Sequence, residues 1–475
     1  GIISYLANFA KERNLDYMVD KALNVIIKVK SKNEDSKQHE PIILQAHTDM
    51  VCVKTADSKI NMSKDPLYIY VDGKYLKAKG TSLGADDGIG VAIILAIIDD
   101  IIKADDSESN ELKGANIEAL FTSDEEIGMN GAIGIDTKIL DGKKFINIDS
   151  ENEGVLTVSC AGGSQCLSEF IIERVPLNDI TKDGNKYESY VMEVSGLLGG
   201  HSGMEIHKGR ANAIFESAYI LKSLLDDKID FYLSSIDGGH FENVICQESA
   251  TTIYINLNDI DKGKKIIEKI NADLKEEYKL NDPNINVIFK ECDFIDNDKK
   301  ISLPITKVST KQLIDAICSI PQGLIEVSQE FINLPWTSLN TGVIETADDK
   351  IILTTFIRSN NDYKRIKLVK RCKIIIENSG GKFVEHGSYP AWQYRKDSKL
   401  KEEILKTYKD IYGTDMEVTA THGGLECGIL LDKISGAEAV SIGPTVYSVH
   451  SVDEKLDIST VGKVYNLIRT FIGEF

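Results

Sequence analysis

The chain contains no hydrophobic run long enough to cross a lipid bilayer, and it shows no signal-peptide pattern. Its densest apolar stretch, residues 91–102, is interrupted by Asp99 and Asp100, so we interpret it as a buried helix. The eight cysteines include no Cys-x-x-Cys pair, which argues against a disulfide scaffold and indicates free thiols in a reducing compartment. These absences predict a cytoplasmic protein without a membrane partner.

Positive charge is also scarce, because 55 lysines and arginines stand against 74 aspartates and glutamates and leave a formal net charge of −19. Nucleic acid and anionic membrane surfaces would repel such a chain, so neither is an expected partner. The charge fits an enzyme that acts on a small molecule or that holds cations. A length of 475 residues, 42% of them hydrophobic, predicts a globular protein of two or three domains.

The order of predicted strands and helices changes along the chain. The first third alternates strand-like runs with a helix, which predicts a mostly parallel α/β sheet. Residues 189–290 read β-α-β-β-α-β, a ferredoxin-like unit, and a similar order follows over residues 311–384. The last segment returns to α/β character. The strand-like runs of the first third lie at residues 41–46, 117–122 and 144–148, and the helix at residues 88–102.

This order predicts one α/β domain that is interrupted by a large inserted α+β domain built of ferredoxin-like units. The predicted segments are residues 1–163 and 387–475 for the α/β domain and residues 164–386 for the insertion.

Acids and histidines follow the predicted strands of the α/β domain, beside turn-forming glycines. Residues two apart in an extended segment face the same side, so His47 and Asp49 project together, and Asp49 is the type of group that fixes the tautomer of a histidine ligand. Three successive acids at 124–126 repel one another unless cations or protons neutralise them. The segments are His47-Thr48-Asp49, Gly84-Ala85-Asp86-Asp87-Gly88, Asp124-Glu125-Glu126-Ile127-Gly128, Asp149-Ser150-Glu151 and Ser448-Val449-His450-Ser451.

All five segments lie at predicted carboxyl ends of strands or in the loops that follow, which is where open α/β sheets build their sites. Any one of them alone is more often a helix cap or a solvated turn. Two histidines with several acids at equivalent edges are much harder to explain in that way. The joint pattern therefore predicts a site that holds cations.

These segments, in this order, resemble the zinc-dependent superfamily of carboxypeptidase G, aminoacylases and carnosinases. Three of the runs resemble more specifically the bacterial aminoacyl-histidine (Xaa-His) dipeptidases: LQAHTDMV at residues 44–51, GLECG at residues 424–428 and HSVDE at residues 450–454. The resemblance covers nearly the whole chain. It implies a metal-dependent exopeptidase domain, and it implies that the insertion is a lid and homodimerisation domain.

The resemblance implies two zinc ions per chain, and manganese or cobalt are possible substitutes at a site with mixed nitrogen and oxygen ligands. Asp86 would bridge both ions. His47 and Asp149 would complete one site, and Glu126 and His450 would complete the other. These five residues are the predicted metal ligands.

Three further residues receive catalytic roles from the resemblance. Glu125 would be the general base for the attacking water, and Asp49 would orient His47. The run Gly199-Gly200-His201-Ser202-Gly203 resembles the lid motif of the family, and His201 would donate a hydrogen bond to the oxyanion when the lid closes.

Four residues are candidates for substrate binding. Arg358, at the end of a predicted strand, is positioned in sequence either to clamp a substrate carboxylate or to form a surface ion pair. Glu426 would bind the free amino group of a dipeptide. His422 and Asn243 are candidates for substrate contact or for packing.

The predicted activity is hydrolysis of unblocked dipeptides, with histidine favoured at the carboxyl-terminal position and β-alanyl-histidine among the substrates. One alternative is another amidase of the superfamily: a tripeptidase, an aminoacylase or an N-acyl amino acid deacylase. Glu426 weighs against deacylases, whose substrates lack a free amine. A second alternative is a catalytically silent metal-binding scaffold, against which the intact Glu125 argues. A cysteine nucleophile has little support, because no cysteine lies in a recognisable catalytic setting.

Overall fold

The structure, a computed structural model, describes residues 1–30, 40–105, 112, 114–184, 186–292 and 303–474. The chain divides into two compact units. The first unit comprises residues 1–160, 392–420 and 425–475, and the second comprises residues 161–391 and 421–424. The boundaries lie a few residues from those that the sequence suggested, and the short segment 421–424 returns to the second unit, which the sequence did not indicate.

The strands and helices are numbered in chain order. The strands are β1 (Asp16–Val19), β2 (Val25–Val29), β3 (Ile42–His47), β4 (Ile69–Asp72), β5 (Tyr75–Ala78), β6 (Ile117–Thr122), β7 (Lys144–Asn147), β8 (Val155–Thr157), β9 (Gly162–Ile171), β10 (Tyr187–Ser195), β11 (Phe231–Gly238), β12 (Ser249–Asn256), β13 (Asn286–Glu291), β14 (Gly323–Val327), β15 (Pro335–Thr346), β16 (Lys350–Ser359), β17 (Lys382–Tyr389), β18 (Glu417–Thr419), β19 (Glu438–Ser441), β20 (Val446–Tyr447) and β21 (Lys455–Asp457). The α-helices are α1 (Ile2–Glu12), α2 (Ala85–Asp105), α3 (Glu125–Gly128), α4 (Asn130–Gly134), α5 (Leu177–Ile180), α6 (Ala213–Asp226), α7 (Ile260–Glu277), α8 (Lys307–Ser319), α9 (Asp362–Asn378), α10 (Lys399–Tyr412), α11 (Glu426–Lys433) and α12 (Ile458–Gly473).

The first unit is built on an eight-stranded sheet in the order β1-β2-β6-β3-β7-β19-β8-β18. The central strands β6, β3, β7 and β19 run parallel. Every residue of β3 and β6 is buried, as expected for parallel strands that are covered on both faces. Because these strands are parallel, the residues that follow them emerge at one edge of the sheet. The predicted α/β fold is confirmed, and that edge is where the predicted site segments lie.

A small four-stranded sheet in the first unit, ordered β20-β21-β5-β4, positions two further segments. Strand β21 pairs with both β20 and β5. The loop between β20 and β21 contains His450, and the chain that follows β5 leads to Asp86 at the start of α2. The pairing therefore brings together segments that are more than 360 residues apart in sequence.

The second unit contains a nine-stranded antiparallel sheet in the order β13-β10-β12-β11-β15-β16-β9-β17, with β14 paired to β15. The succession β10-α6-β11-β12-α7-β13 is the predicted ferredoxin-like unit. The second repeat uses α8, β15, β16, α9 and β17, but its first strand is β9, which precedes the first repeat in sequence. The sequence did not predict this exchange of chain order. No helix in the described part of the chain combines the length and apolar character that crossing a membrane requires.

Candidate metal centre and catalytic residues

His47 is the last residue of β3 and is almost fully buried. Its Nε2 lies 2.9 Å from Asp86 Oδ1 and 3.4 Å from Asp149 Oδ1. Its Nδ1 lies 3.1 Å from the carbonyl oxygen of Asp49 and 3.6 Å from the carboxylate of the same residue. The ring is therefore held on one side by the His47-x-Asp49 turn and presents its other nitrogen to two acids.

Asp86 lies between the two imidazoles that the sequence singled out. While its Oδ1 contacts His47, its Oδ2 lies 3.1 Å from His450 Nε2. The same nitrogen of His450 is 3.0 Å from Glu126 Oε2. The peptide bond between Asp86 and Asp87 is cis. One carboxylate thus contacts two imidazoles, and each imidazole has one further acid beside it.

These contacts define two overlapping sets of ligand atoms. One set is His47, Asp86 and Asp149, the other is Asp86, Glu126 and His450, and within each set the ligand atoms lie within 4.8 Å of one another. All five predicted metal ligands therefore converge, and Asp86 is the member that the sets share.

The acids and the two imidazoles of the cluster shift one another's pKa values. Hydrogen bonds with Asp86 and Glu126 raise the pKa of His450 to about 10. The hydrogen bonds from His450 and His47 outweigh burial and hold the pKa of Asp86 well below its usual range. Burial raises the pKa of Asp149 to about 6. The acids thus draw protons onto the imidazoles, and a divalent cation at the same positions would replace those protons.

The donor set fits divalent metal ions. Imidazole nitrogens and carboxylate oxygens are ligands that zinc accepts readily. Glu126 Oε1 is buried and has no hydrogen-bond partner in the described part of the chain, although its Oε2 contacts His450. A buried carboxylate oxygen without a partner is costly, and a metal ion would satisfy it.

Glu125 and Asp49 form the next layer of the site. One carboxylate oxygen of Glu125 lies within 4.8 Å of a ring nitrogen of His47 and an oxygen of Glu126. Burial, followed by the charge of Asp149, raises the pKa of Glu125 well above its usual range. The carboxylate of Asp49 accepts the backbone N–H groups of Glu125 at 3.0 Å and Glu126 at 3.1 Å, so it caps the short helix α3. Asp49 therefore holds the segment that contains Glu125, a role that the sequence did not suggest.

A buried polar network lies among the strand ends that lead into the site. Glu426 Oε2 accepts hydrogen bonds from Gln45 Nε2 at 2.7 Å and Thr122 Oγ1 at 2.5 Å. Asn147 Nδ2 donates to Gln45 Oε1 at 2.7 Å. Glu426 is fully buried, burial raises its pKa to about 7, and its Oε1 has no partner in the described part of the chain. The predicted role of Glu426 as a ligand for an amino group stays a prediction.

The second unit contains the remaining candidates, and His201 is the first of them. Its Nδ1 accepts the backbone N–H of Met204 at 3.1 Å, so the proton of the neutral ring is on Nε2. Its own backbone N–H donates to Glu205 Oε2 at 3.0 Å. The ring is thus fixed as an Nε2–H donor, which is the form that the predicted contact with an oxyanion requires.

Arg358 is buried at the end of β16. Its guanidinium donates to the hydroxyl of Tyr389 at 3.1 Å and lies 4.3 Å from the centre of the Phe356 ring. Its Nε has no partner, and no carboxylate is among the contacts of its guanidinium in the described part of the chain. This arrangement does not fit the surface ion pair that was the alternative, because the guanidinium is neither exposed nor paired.

His422 and Asn243 differ in their surroundings. His422 is buried, and its Nε2 lies 2.8 Å from Ser338 Oγ while its Nδ1 lies 3.0 Å from Asn360 Oδ1. Burial lowers the pKa of His422 to about 3, so the ring is neutral and both nitrogens are engaged. This favours packing for His422. Asn243 is exposed, and its carbonyl oxygen accepts the backbone N–H of Ser202 at 2.8 Å.

Two buried acids near the site received no role from the sequence. Asp87 accepts the backbone N–H of His47 at 3.2 Å and that of Gly90 at 3.1 Å, and so joins the end of β3 to the start of α2. Glu454 accepts backbone N–H groups of the segment that leads to Asp86. Asp87 and Glu454 belong to the motifs at residues 84–88 and 450–454, yet the sequence did not reveal their roles. A hydrogen bond from a side chain to a backbone segment far away in sequence leaves no local pattern.

Comparisons with known proteins give the class to which this chain belongs. Residues 24–174 match the profile described as Peptidase family M28, and residues 192–282 match the Peptidase dimerisation domain. The α/β sheet, the inserted unit and the paired ligand sets thus define a metallopeptidase. The Cytosol non-specific dipeptidase of Escherichia coli (strain K12) is 31% identical over 477 residues, which cover 100% of this chain and 93% of the relative.

Solved structures give the same result. The Aminoacylhistidine Dipeptidase of Vibrio alginolyticus has a TM-score of 0.82 and 31% identity, and the match covers 100% of this chain and 92% of that one. The aminopeptidase PepT of Bacillus cereus shares the fold, with a TM-score of 0.53 and 14% identity over 100% of this chain and 92% of its own. The chain belongs to the family of metallo-dipeptidases that includes the Escherichia coli and Vibrio alginolyticus proteins.

Proposed function

We propose that this protein hydrolyses unblocked dipeptides in a metal-dependent reaction, with histidine favoured at the carboxyl-terminal position and β-alanyl-histidine among the substrates. The observation that carries the proposal is Asp86, whose two oxygens contact two different imidazoles while Glu125 lies beside the same cluster. The names of the relatives support dipeptides as the substrate class. One name specifies histidine and the other says non-specific, so the preference for histidine needs its own test.

We propose two zinc ions per chain, with manganese or cobalt as substitutes. His47, Asp86 and Asp149 would hold one ion, and Asp86, Glu126 and His450 the other. Bound there, divalent cations lower the pKa of a water and polarise the scissile carbonyl. The mixed nitrogen and oxygen ligands and the unpartnered oxygen of Glu126 support this assignment.

The chain's own residues would move the proton and hold the reacting groups. Glu125 takes a proton from the attacking water and delivers it to the leaving amine. Its position supports this role, because one of its carboxylate oxygens lies within 4.8 Å of a ring nitrogen of His47 and an oxygen of Glu126. Asp49 fixes the backbone of Glu125 and orients His47. His201 donates its Nε2–H to the developing oxyanion.

The two ends of a dipeptide require opposite charges. We propose that Arg358 binds the substrate carboxylate, since a buried guanidinium without a carboxylate partner needs an anion. Glu426 would bind the free amino group through its unpartnered Oε1. Asn243 is proposed to contact substrate, and His422 to position its neighbours through packing.

A substrate panel tests the proposal against its alternatives. We expect β-alanyl-histidine and alanyl-histidine to be hydrolysed faster than a dipeptide without histidine. A tripeptide should be a poor substrate because its charged ends lie one residue further apart, and an N-acetyl amino acid because it has no free amine. Hydrolysis of the N-acetyl compound alone would identify a deacylase. An absence of turnover with zinc bound would identify a metal-binding scaffold.

We also propose a homodimer that forms through the second unit and a cytoplasmic location. The match to a dimerisation domain supports the first, and the word cytosol in the name of the Escherichia coli relative supports the second. Size-exclusion chromatography with light scattering tests the dimer, and a strict monomer would contradict it.

A further inference from the structure

Glu454 is a buried acid whose carboxylate accepts backbone hydrogen bonds from four successive residues. Its Oε2 accepts the N–H groups of Leu83 at 2.8 Å and Gly84 at 3.1 Å. Its Oε1 accepts the N–H groups of Ala85 at 2.8 Å and, more weakly, Asp86 at 3.5 Å. Glu454 is 3% exposed, and no lysine, arginine or histidine forms an ion pair with it in the described part of the chain. Backbone amides therefore provide the stabilisation of this charge.

The backbone of residues 83–86 is shaped to receive an anion. Gly84 has a φ of +70°, in the left-handed region, and a Cβ added there would lie 2.7 Å from Met50 Sδ. Such a turn aims successive N–H groups into one concave site, which is a known way of holding an anion. Asp86 and Asp87 have non-helical backbone angles, so this segment precedes the regular turns of α2. This segment ends at Asp86, the carboxylate that contacts both imidazoles.

Glu454 belongs to the same tight turn as His450. Ser451 Oγ donates to the carbonyl of Ser448 at 2.7 Å and accepts the N–H of Asp453 at 3.2 Å. The N–H of Glu454 donates to the carbonyl of Ser451 at 3.3 Å. Only the three residues 451–453 of this self-bonded turn therefore separate His450 from Glu454, whose carboxylate holds the Asp86 segment.

We propose that Glu454 is a positioning residue of the metal centre. It holds the backbone that leads to Asp86 against the turn that contains His450, and so fixes the distance between Asp86 and His450. The inference rests on the proposed function of these residues as metal ligands. Outer-shell groups that orient ligands typically change metal affinity about 10–100-fold when they are replaced.

Glu118 provides a matched control in the same unit. It is 1% exposed, and its carboxylate accepts the backbone N–H groups of Asp141 at 2.9 Å and Gly142 at 3.0 Å. It lies near the start of β6, whereas the metal centre follows the other end of that strand, about 13 Å away at the usual rise per residue. Glu118→Gln therefore removes a buried backbone anchor, together with its contact to Lys28 at 2.7 Å, without touching the site.

The experiment measures zinc affinity in the full-length chain. Wild type, Glu454→Gln and Glu118→Gln are stripped of metal and titrated with zinc against a competing fluorescent indicator. A carboxamide keeps one acceptor oxygen and turns an NH₂ group toward the remaining amides, so Glu454→Gln should bind zinc about 10–100-fold more weakly. Glu118→Gln should bind zinc like wild type. The absorption spectrum of the cobalt-loaded proteins should change only in the Glu454 variant.

Equal zinc affinity in Glu454→Gln and Glu118→Gln would overturn the positioning role. Glu454→Asp is the second variant in case the first does not fold, since it keeps the buried charge but is one methylene shorter. It should lose a smaller part of the zinc affinity, and wild-type affinity there would equally contradict the proposal. Failure of wild type itself to bind zinc would contradict the metal centre, which is a separate result.

Discussion

Buried carboxylates lie near the amino ends and near the carboxyl ends of the parallel strands in the eight-stranded sheet, and their surroundings differ. Near the amino end of β6, Glu118 contacts the ammonium group of Lys28 at 2.7 Å and two backbone amides. At the carboxyl end, Asp86, Glu126 and Asp149 contact imidazoles, and no lysine or arginine forms an ion pair with them in the part of the chain that the structure describes. An acid with its own cation is complete as a structural anchor. A cluster of acids without a lysine or arginine needs cations from solution to neutralise its charge. In this respect the site differs from the opposite end of the sheet.

Removal of metal should give the largest difference in effect between the carboxyl-end cluster and the amino-end pair. We expect exhaustive chelation to abolish dipeptide hydrolysis, because the carboxyl-end cluster loses its cations, and we expect zinc, manganese or cobalt to restore it. The Lys28–Glu118 pair needs no metal, so far-ultraviolet circular dichroism should show that the fold persists. Full activity of the metal-free protein would contradict the difference between the ends.

Replacement of the proposed base is the next largest effect. Glu125→Ala should lower kcat about 10²–10⁴-fold, because proton transfer from the attacking water loses its acceptor. Zinc content should stay at the wild-type value, since Glu125 is not assigned as a ligand. Steady-state kinetics and metal analysis check both statements. Unchanged hydrolysis would exclude Glu125 as the base.

The capping role of Asp49 gives a smaller effect. Asp49→Asn replaces one of the two oxygens that accept the N–H groups of Glu125 and Glu126, so activity or zinc affinity should fall about 10–100-fold. Asp136 is the matched control, because its side chain caps a short helix by accepting the N–H of Lys138 at 3.2 Å. Asp136→Asn should leave kcat unchanged. Equal losses in both variants would mean that capping alone, and not the site, explains the effect.

A buried acid in the second unit extends the comparison to a site without metal ligands. Glu216 accepts a hydrogen bond from the hydroxyl of Tyr278 at 3.0 Å, and burial raises its pKa from 4.5 to about 7. The folded protein therefore keeps this proton between about pH 4.5 and pH 7 while the unfolded chain releases it, so stability falls as the pH rises through that window. Above the window, Glu216→Gln should be more stable than wild type by about 1–3 kcal/mol.

Urea denaturation at pH 5 and pH 8 measures this effect. The advantage of Glu216→Gln should be present at pH 8 and shrink toward pH 5. Glu193→Gln is the control, because Glu193 is partly exposed and paired with Lys290 at 2.9 Å. A pH-independent difference between Glu216→Gln and wild type would contradict the raised pKa.

The sequence predicted best those features that have a local pattern. Buried strands such as β3 and β6 are continuous apolar runs, and the helix predicted at residues 88–102 lies within α2. The prediction that acids and histidines after these strands converge followed from the parallel order alone. Family resemblance then distinguished the ligands from Glu125, which strand order cannot do.

Features that depend on distant pairing were not predicted. Strand β9 pairs with β16 and β17, which begin 188 and 220 residues after it, and nothing within residues 162–171 indicates these partners. Glu454 contacts a backbone segment about 370 residues away, and its neighbours in sequence are the same as those of an ordinary polar loop. The roles of these residues arise from tertiary contacts, which are absent from any short window of sequence.

The most direct test is a crystal of the protein grown with zinc, with diffraction collected on both sides of the zinc absorption edge. The account predicts two anomalous peaks, one on each side of the Asp86 carboxylate, with His47 and Asp149 beside one and Glu126 and His450 beside the other. A single peak, or peaks that Asp86 does not separate, would contradict the proposed dinuclear centre.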